Sequence, residues 1–184
     1  AEVKAESDIC CTSGNAVKII ESLGVDRVIM IPDEHLAKNI ARECGVEVIT
    51  WPGRCEVHDR FTAADIDQVR RDYPEVVVMA HPECPPDVVA ASDLAGSTAQ
   101  MLDFVTERRP KQIALITECS MADNIAANVR DVEMVRPCNI CPHMKRNNLS
   151  NIRQALEQLR HEVTIDPQVA ERARAAVERM LAVR

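Results

Sequence analysis

Shifted by 85 positions, the sequence lies down on itself without a gap. Residues 3–8 (Val-Lys-Ala-Glu-Ser-Asp) fall on 88–93 (Val-Val-Ala-Ala-Ser-Asp), and Thr12-Ser13 fall on Ser97-Thr98. The apolar run 28–31 falls on 113–116, Pro52 on Pro137, and His58 on His143. A repeat of this length means two copies of one supersecondary unit, so equivalent positions are expected to do equivalent work. The second copy opens with Val76-Val77-Val78-Met79-Ala80-His81-Pro82-Glu83-Cys84, whose counterpart would precede residue 1. The chain is therefore expected to begin inside a repeat, as the C-terminal part of something longer.

Each copy reads as short β-branched runs alternating with helical patterns, the signature of βαβ units and a parallel sheet. In the first copy the patterns predict a helix over 13–23, a strand over 27–31, a helix over 34–44 and a strand over 47–51. The second predicts strands over 75–79, 112–116 and 132–135, with helices over 98–106 and 122–129. A helix over 62–71, capped by Thr62 with Asp65 three residues on, links the copies. Two amphipathic helices follow, over 149–159 and over 167–183, the second with Pro at its first turn. The expected division is 1–74 for the first repeat and its linker helix, 75–143 for the second, and 144–184 for the C-terminal helices.

Apolar residues make up 46% of the 184 residues, enough for a core, but two Phe, one Trp and one Tyr leave that core to aliphatic side chains. The net charge of −7 comes with no basic run, which disfavours a nucleic-acid partner. No apolar stretch approaches the length of a membrane span, so a cytoplasmic protein is expected. Eight cysteines in a chain patterned like this argue for metal or catalytic use of some of them.

In open α/β sheets ligands bind beyond the carboxyl ends of the strands, where helix N-termini attract anions. The polar residues of both copies collect at those places. Cys55 and Cys141 each follow the last strand of their copy, 86 residues apart, so repeat logic aims two thiols at a common centre. Cys138 and Cys141 form a Cys-x-x-Cys, readable as half a zinc site, a redox pair or two buried thiols. A three-cysteine iron–sulfur site with one open iron fits if a preceding repeat supplies the third thiolate. Cys10, Cys11, Cys44 and Cys119 read as small buried hydrophobes. Ser13 and Thr98 read as equivalent hydroxyls at helix starts, serving as caps, anion contacts or both. His81 and Glu83, two apart after an apolar strand, form an acid–base pair whose side chains share one side of an extended segment. His58, three after Cys55, is a further ligand or substrate contact; His35 and His143 are weaker candidates, and His161 reads as surface.

Ser-Asp-Ile-Cys-Cys-Thr-Ser-Gly-Asn-Ala (7–16), Pro-Asp-Glu-His-Leu (32–36), Trp-Pro-Gly-Arg-Cys-Glu-Val-His (51–58), His-Pro-Glu-Cys (81–84), Ala-Gly-Ser-Thr (95–98) and Cys-Pro-His-Met-Lys (141–145) together resemble the quinolinate synthases. The resemblance implies repeated Rossmann-like parallel α/β units about a pseudo-threefold axis, with the third unit missing from this chain. It implies a 4Fe–4S cluster with an open iron acting as Lewis acid, held by one cysteine from each unit. The activity implied is condensation of iminoaspartate with dihydroxyacetone phosphate to quinolinate, for NAD biosynthesis. On that pattern Cys55 and Cys141 resemble two of the cluster ligands. Ser13, His81, Glu83 and Thr98 resemble substrate-contacting residues, with Glu83 as general base, and His58 a further active-site residue. The third cysteine, a substrate-binding His and Ser, and a Tyr-x-Asn stretch would lie in the absent N-terminal domain, so this chain alone is expected to be inactive. Two alternatives remain: a trefoil enzyme of another class, such as the diphosphate reductase of isoprenoid synthesis, and a non-enzymatic zinc or thiol-redox module using Cys138 and Cys141.

Overall fold

The computed structural model describes residues 1–135 and 138–183, so Pro137 of the repeat alignment lies outside the described residues. The elements run α1 (Glu2–Ala5), α2 (Ala16–Ser22), β1 (Arg27–Met30), α3 (Glu34–Ala41), β2 (Glu47–Thr50), α4 (Ala63–Asp72), β3 (Val77–Ala80), α5 (Pro86–Ala91) and β4 (Leu94–Ala95). They continue with α6 (Thr98–Arg108), β5 (Gln112–Ile116), α7 (Ser120–Asn128), β6 (Glu133–Val135), α8 (Leu149–Gln158) and α9 (Pro167–Ala182). Single 3-10 turns cover His58–Arg60 and Met144–Arg146. The protein is α/β with parallel sheets: β1 pairs with β2, and a second sheet has the order β4-β3-β5-β6.

Alternation along the strands of the larger sheet sends successive side chains to opposite faces. Val78, Ala80, Ala114 and Ile116 face Ile66 and Val69 of α4 and Val88 of α5. Met79, Ile113 and Leu115 face Met101 and Val105 of α6 and Met121 and Ile125 of α7. Both faces are covered, as parallel sheets require. In the smaller sheet Met30, Val28 and Val48 pack under α2 and α3. Its other face is open: Ile29 is 72% exposed, whereas Ala114, its counterpart in β5, is fully buried. Ile125 lies wholly inside the α6–α7 layer. Replacing it by Ala should cost about 2–5 kcal/mol of stability, measured by urea unfolding. Leu156→Ala, on the exposed face of α8, should change stability by no more than about 0.5 kcal/mol.

The strand registers refine the repeat. Arg27 pairs with Glu47 and Gln112 with Glu133, so the copies are offset by 85 residues at the first strand of each pair and by 86 at the second. The gapless alignment thus needs one extra residue in the second copy, between Cys119 and Glu133. Beyond that point His58 corresponds to Met144, each opening its 3-10 turn, and no longer to His143. Cys55 and Cys141 do correspond: the N–H of Asp59 donates to Cys55 O at 2.9 Å, and that of Lys145 to Cys141 O at 3.1 Å.

The predicted elements stand within three residues of their expected ends, but the helix starts at Ser13 and Thr98 are built differently from the expectation. Helix α2 starts at Ala16, because Asn15 Oδ1 takes the N–H of Thr12 at 2.6 Å and closes a turn over residues 12–15. Helix α6 starts at Thr98, but its cap is Ser97, whose hydroxyl and Gln100 form a reciprocal capping box. Ser13 therefore sits in a turn and Thr98 in the first helical turn; neither is a cap. The capping box at Thr62 and Asp65 is present as the spacing predicts. Among the described residues no helix is long and apolar enough to cross a membrane.

Candidate active site

The loops that leave the carboxyl ends of β2, β3, β5 and β6 meet at one place. After β2 the chain passes Gly53, where any Cβ would collide with the carbonyl of Pro32. That close approach lets the N–H of Glu34 donate to Gly53 O at 2.7 Å. Cys55 follows, half-buried, and the next turn buries His58. After β3 the chain turns sharply: the N–H of Cys84 donates to His81 O at 2.9 Å and that of Glu83 to His81 Nδ1 at 3.3 Å. The extended segment expected for His81 and Glu83 is thus a turn, which still brings the two side chains together. Cys84 is fully buried, with its Sγ donating to Ile116 O at 3.3 Å, and burial pushes its thiol up to about 12.

Cys55, His58 and Glu83 gather so that one donor atom of each lies within 4.8 Å of the others, a group able to hold a metal ion. His58 Nδ1 lies 3.0 Å from Glu83 Oε2, off the hydrogen-bond axis and so an ion contact, while Nε2 is 2.9 Å from Thr117 Oγ1. The His58 and His81 rings stack with centroids 4.7 Å apart. Burial works against protonation of His58, but the neighbouring Cys55 and Glu83 outweigh it and raise its pKa to about 9. His58 in turn holds the Cys55 thiol and the Glu83 carboxyl below their ordinary ranges, against the cost of burying each. His81 goes the other way, down to about 4, because it is buried beside a charged His58. Its Nδ1 already accepts an N–H, which agrees with a neutral ring. The cluster therefore pairs a donor, His58, with an ionised acceptor, Glu83, and sets a neutral imidazole against them.

The second thiol stands in the matching loop. Cys141 is half-buried, and its Sγ accepts the N–H of Met144 at 3.5 Å. Two bonds join this loop to that of Cys55: His143 Nε2 is 2.9 Å from Glu56 Oε1, and Asn139 Nδ2 donates to Val57 O at 3.2 Å. Ser13 lies half-buried in the turn before α2, and neighbouring Gly14 packs beside Ser97, so a Cβ at Gly14 would sit 3.1 Å from Ser97 Oγ. Thr98 is exposed just beyond. Of the weaker candidates, His35 is buried against Asp59, 2.6 Å from its Oδ1, and His161 is exposed. Cys138 is bonded to Cys119, not left to pair with Cys141, so the Cys-x-x-Cys reading of a zinc or redox module loses one thiol. Thr117 and Asn139 carry no motif of their own, and Glu56 lies within the 51–58 motif without being singled out by it. The one signal that could have found them is their position on the loops beside Cys55 and Cys141.

A family profile described as "Quinolinate synthetase A protein" matches residues 1–182. Quinolinate synthase 2 of Mesorhizobium japonicum is 66% identical over 183 residues, covering 100% of this chain and 56% of the relative. Quinolinate synthase of Xylella fastidiosa is 63% identical over 183 residues, with 100% of this chain and 54% of the relative covered. That of Caulobacter vibrioides is 54% identical over 185 residues, covering 98% and 50%. The chain spans about half the length of the curated relatives it matches. With the profile matched over nearly every residue and the site loops built as described, the chain belongs to the Quinolinate synthetase A protein family.

Proposed function

We propose that a full-length protein containing this chain condenses iminoaspartate with dihydroxyacetone phosphate to quinolinate, for NAD biosynthesis in the cytoplasm. The observation that carries this reading is the convergence of Cys55, His58, His81 and Glu83 beside the Cys141 loop, at the strand ends where α/β proteins bind ligands. The donor chemistry fits a thiolate-held iron–sulfur group: Cys55 is pushed toward thiolate, and Cys141 sits in the equivalent loop, tied to the first by two contacts. Cys55 and Cys141 would hold two corners of a 4Fe–4S cluster, the third cysteine coming from the rest of the protein, which also brings further substrate contacts. When bound, such a cluster with an open iron supplies a Lewis acid that polarises substrate oxygen. Within the chain we assign residues 1–74 and 75–143 to two units about a pseudo-threefold axis and 144–184 to the C-terminal helices.

The side chains divide the remaining work. Glu83, ionised and half-exposed, takes a proton from carbon next to a carbonyl. His58, protonated 3.0 Å away, gives one to an oxygen that leaves, and the neutral His81 packs against it and orients the substrate carboxylate. The Ser13 turn and Thr98, adjacent through Gly14 and Ser97, supply hydroxyl and N–H groups for carboxylate or phosphate oxygens. Anaerobic reconstitution with iron and sulfide should yield quinolinate from the two substrates with a full-length protein and none with the 184-residue chain alone. Absence of product from the reconstituted full-length protein would refute the assignment. Thr98→Ala removes one anion contact and no proton carrier, so KM should rise about tenfold while kcat stays within about threefold. A fall in kcat alone would place Thr98 in the chemistry.

A further inference from the structure

Asp33 and Glu118 occupy equivalent positions, 85 residues apart, in the short loops that lead from β1 into α3 and from β5 into α7 at the site. Both are more than nine-tenths buried, at 6% and 9% exposure. Each carboxylate divides its two oxygens between two backbone donors. Asp33 Oδ1 accepts the N–H of Leu36 in the first turn of α3 at 2.7 Å, and Oδ2 accepts the N–H of Cys55 at 2.9 Å. Glu118 Oε2 accepts the N–H of Ser120 at the start of α7 at 2.7 Å, and Oε1 accepts the N–H of Cys141 at 3.2 Å. The surrounding backbone repeats as well, with matching parallel bridges Asp33–Gly53 and Glu118–Asn139.

Capping a helix needs one acceptor oxygen, which Ser, Thr or Asn supplies without burying a charge. Here a charge is buried twice, and on both occasions the second oxygen goes to the amide of the candidate ligand cysteine. Only a carboxylate offers two acceptors and no donor; Asn or Gln would turn an N–H₂ group toward one of the two N–H groups. We propose that Asp33 and Glu118 are matched positioning residues, each fixing one metal-binding thiol by fastening the backbone of its cysteine to the start of its own unit's helix. The proposal rests on the reading of Cys55 and Cys141 as ligands. The side chains differ by one methylene, and the cysteine contact is shorter with Asp33 than with Glu118. The same job is thus done by two chain lengths, as expected if the two-acceptor chemistry and not the exact shape is what the site requires.

Amide hydrogen exchange at Cys55 and Cys141, followed by NMR in a metal-free full-length protein containing this chain, tests this directly. Asp33→Asn should speed exchange at the Cys55 amide by about tenfold, the equivalent of one lost hydrogen bond, and leave Cys141 within about twofold. Glu118→Gln should do the reverse. Asp33→Glu keeps both acceptors and should hold the Cys55 amide within about threefold of the unmodified chain. The proposal is overturned if Asp33→Asn leaves the Cys55 amide unchanged, or if either amide variant loosens both cysteines together. It is equally overturned if Asp33→Glu exchanges as fast as Asp33→Asn. Since no iron is involved, failure of the cluster reading would show in the cysteine variants and leave this result standing.

Discussion

Glu83→Gln, in a full-length protein containing this chain, should keep the iron–sulfur absorption and most substrate binding while turnover falls by roughly 10²–10⁴-fold. Gln nearly preserves the shape of Glu83 and can still meet His58, whose Nδ1 now stands 3.0 Å from the carboxylate. What it cannot do is accept a proton. Steady-state kinetics under anaerobic conditions separate the two effects: KM should change little and kcat should carry the loss. The substitution also removes one of the charges that keep His58 protonated, so part of the fall belongs to the weakened donor. Near-normal kcat would rule out Glu83 as the base. The proton would then go to His81 or to a residue outside this chain.

The periodic features of this fold were legible in the sequence, and the contacts between loops were not. Strand β5 stands at 112–116 as its apolar run predicts, and the Thr62–Asp65 box opens α4 because both halves of that signal are local. Helix α5 begins with Pro86 after Pro85, and β4 is two residues long; neither is long enough to show a period. Ile29 belongs to the apolar run of β1 yet lies exposed, since alternation tells which residues share a face and not whether anything covers it. The candidate site was legible where chemistry and repeat coincided, at Cys55 and Cys141, which stand in matching loops. It was hidden where one loop touches another: the Cys119–Cys138 bond, the His143–Glu56 pair and the Asn139–Val57 bond join residues with no shared pattern. The single extra residue in the second copy hid too, because it falls in a connection where spacing is free, and it moved the partner of His58 from His143 to Met144.

The thiols decide the central claim. Cys55→Ala and Cys141→Ala should each abolish the iron–sulfur absorption of a full-length protein reconstituted anaerobically, because each removes one corner of the cluster and Cys138, the thiol beside Cys141, is bonded to Cys119. Cys44→Ala should leave the absorption intact, as that half-buried thiol lies beyond the end of α3 with its Sγ 3.9 Å from Val46 O. The spectrum also separates iron–sulfur from zinc, which absorbs nothing in the visible range. The most direct single measurement is therefore the visible spectrum of Cys141→Ala after iron–sulfide reconstitution. Loss of the cluster band is the result predicted here; a full band would move the ligand to Cys138, freed from Cys119, and break the equivalence of the two repeats.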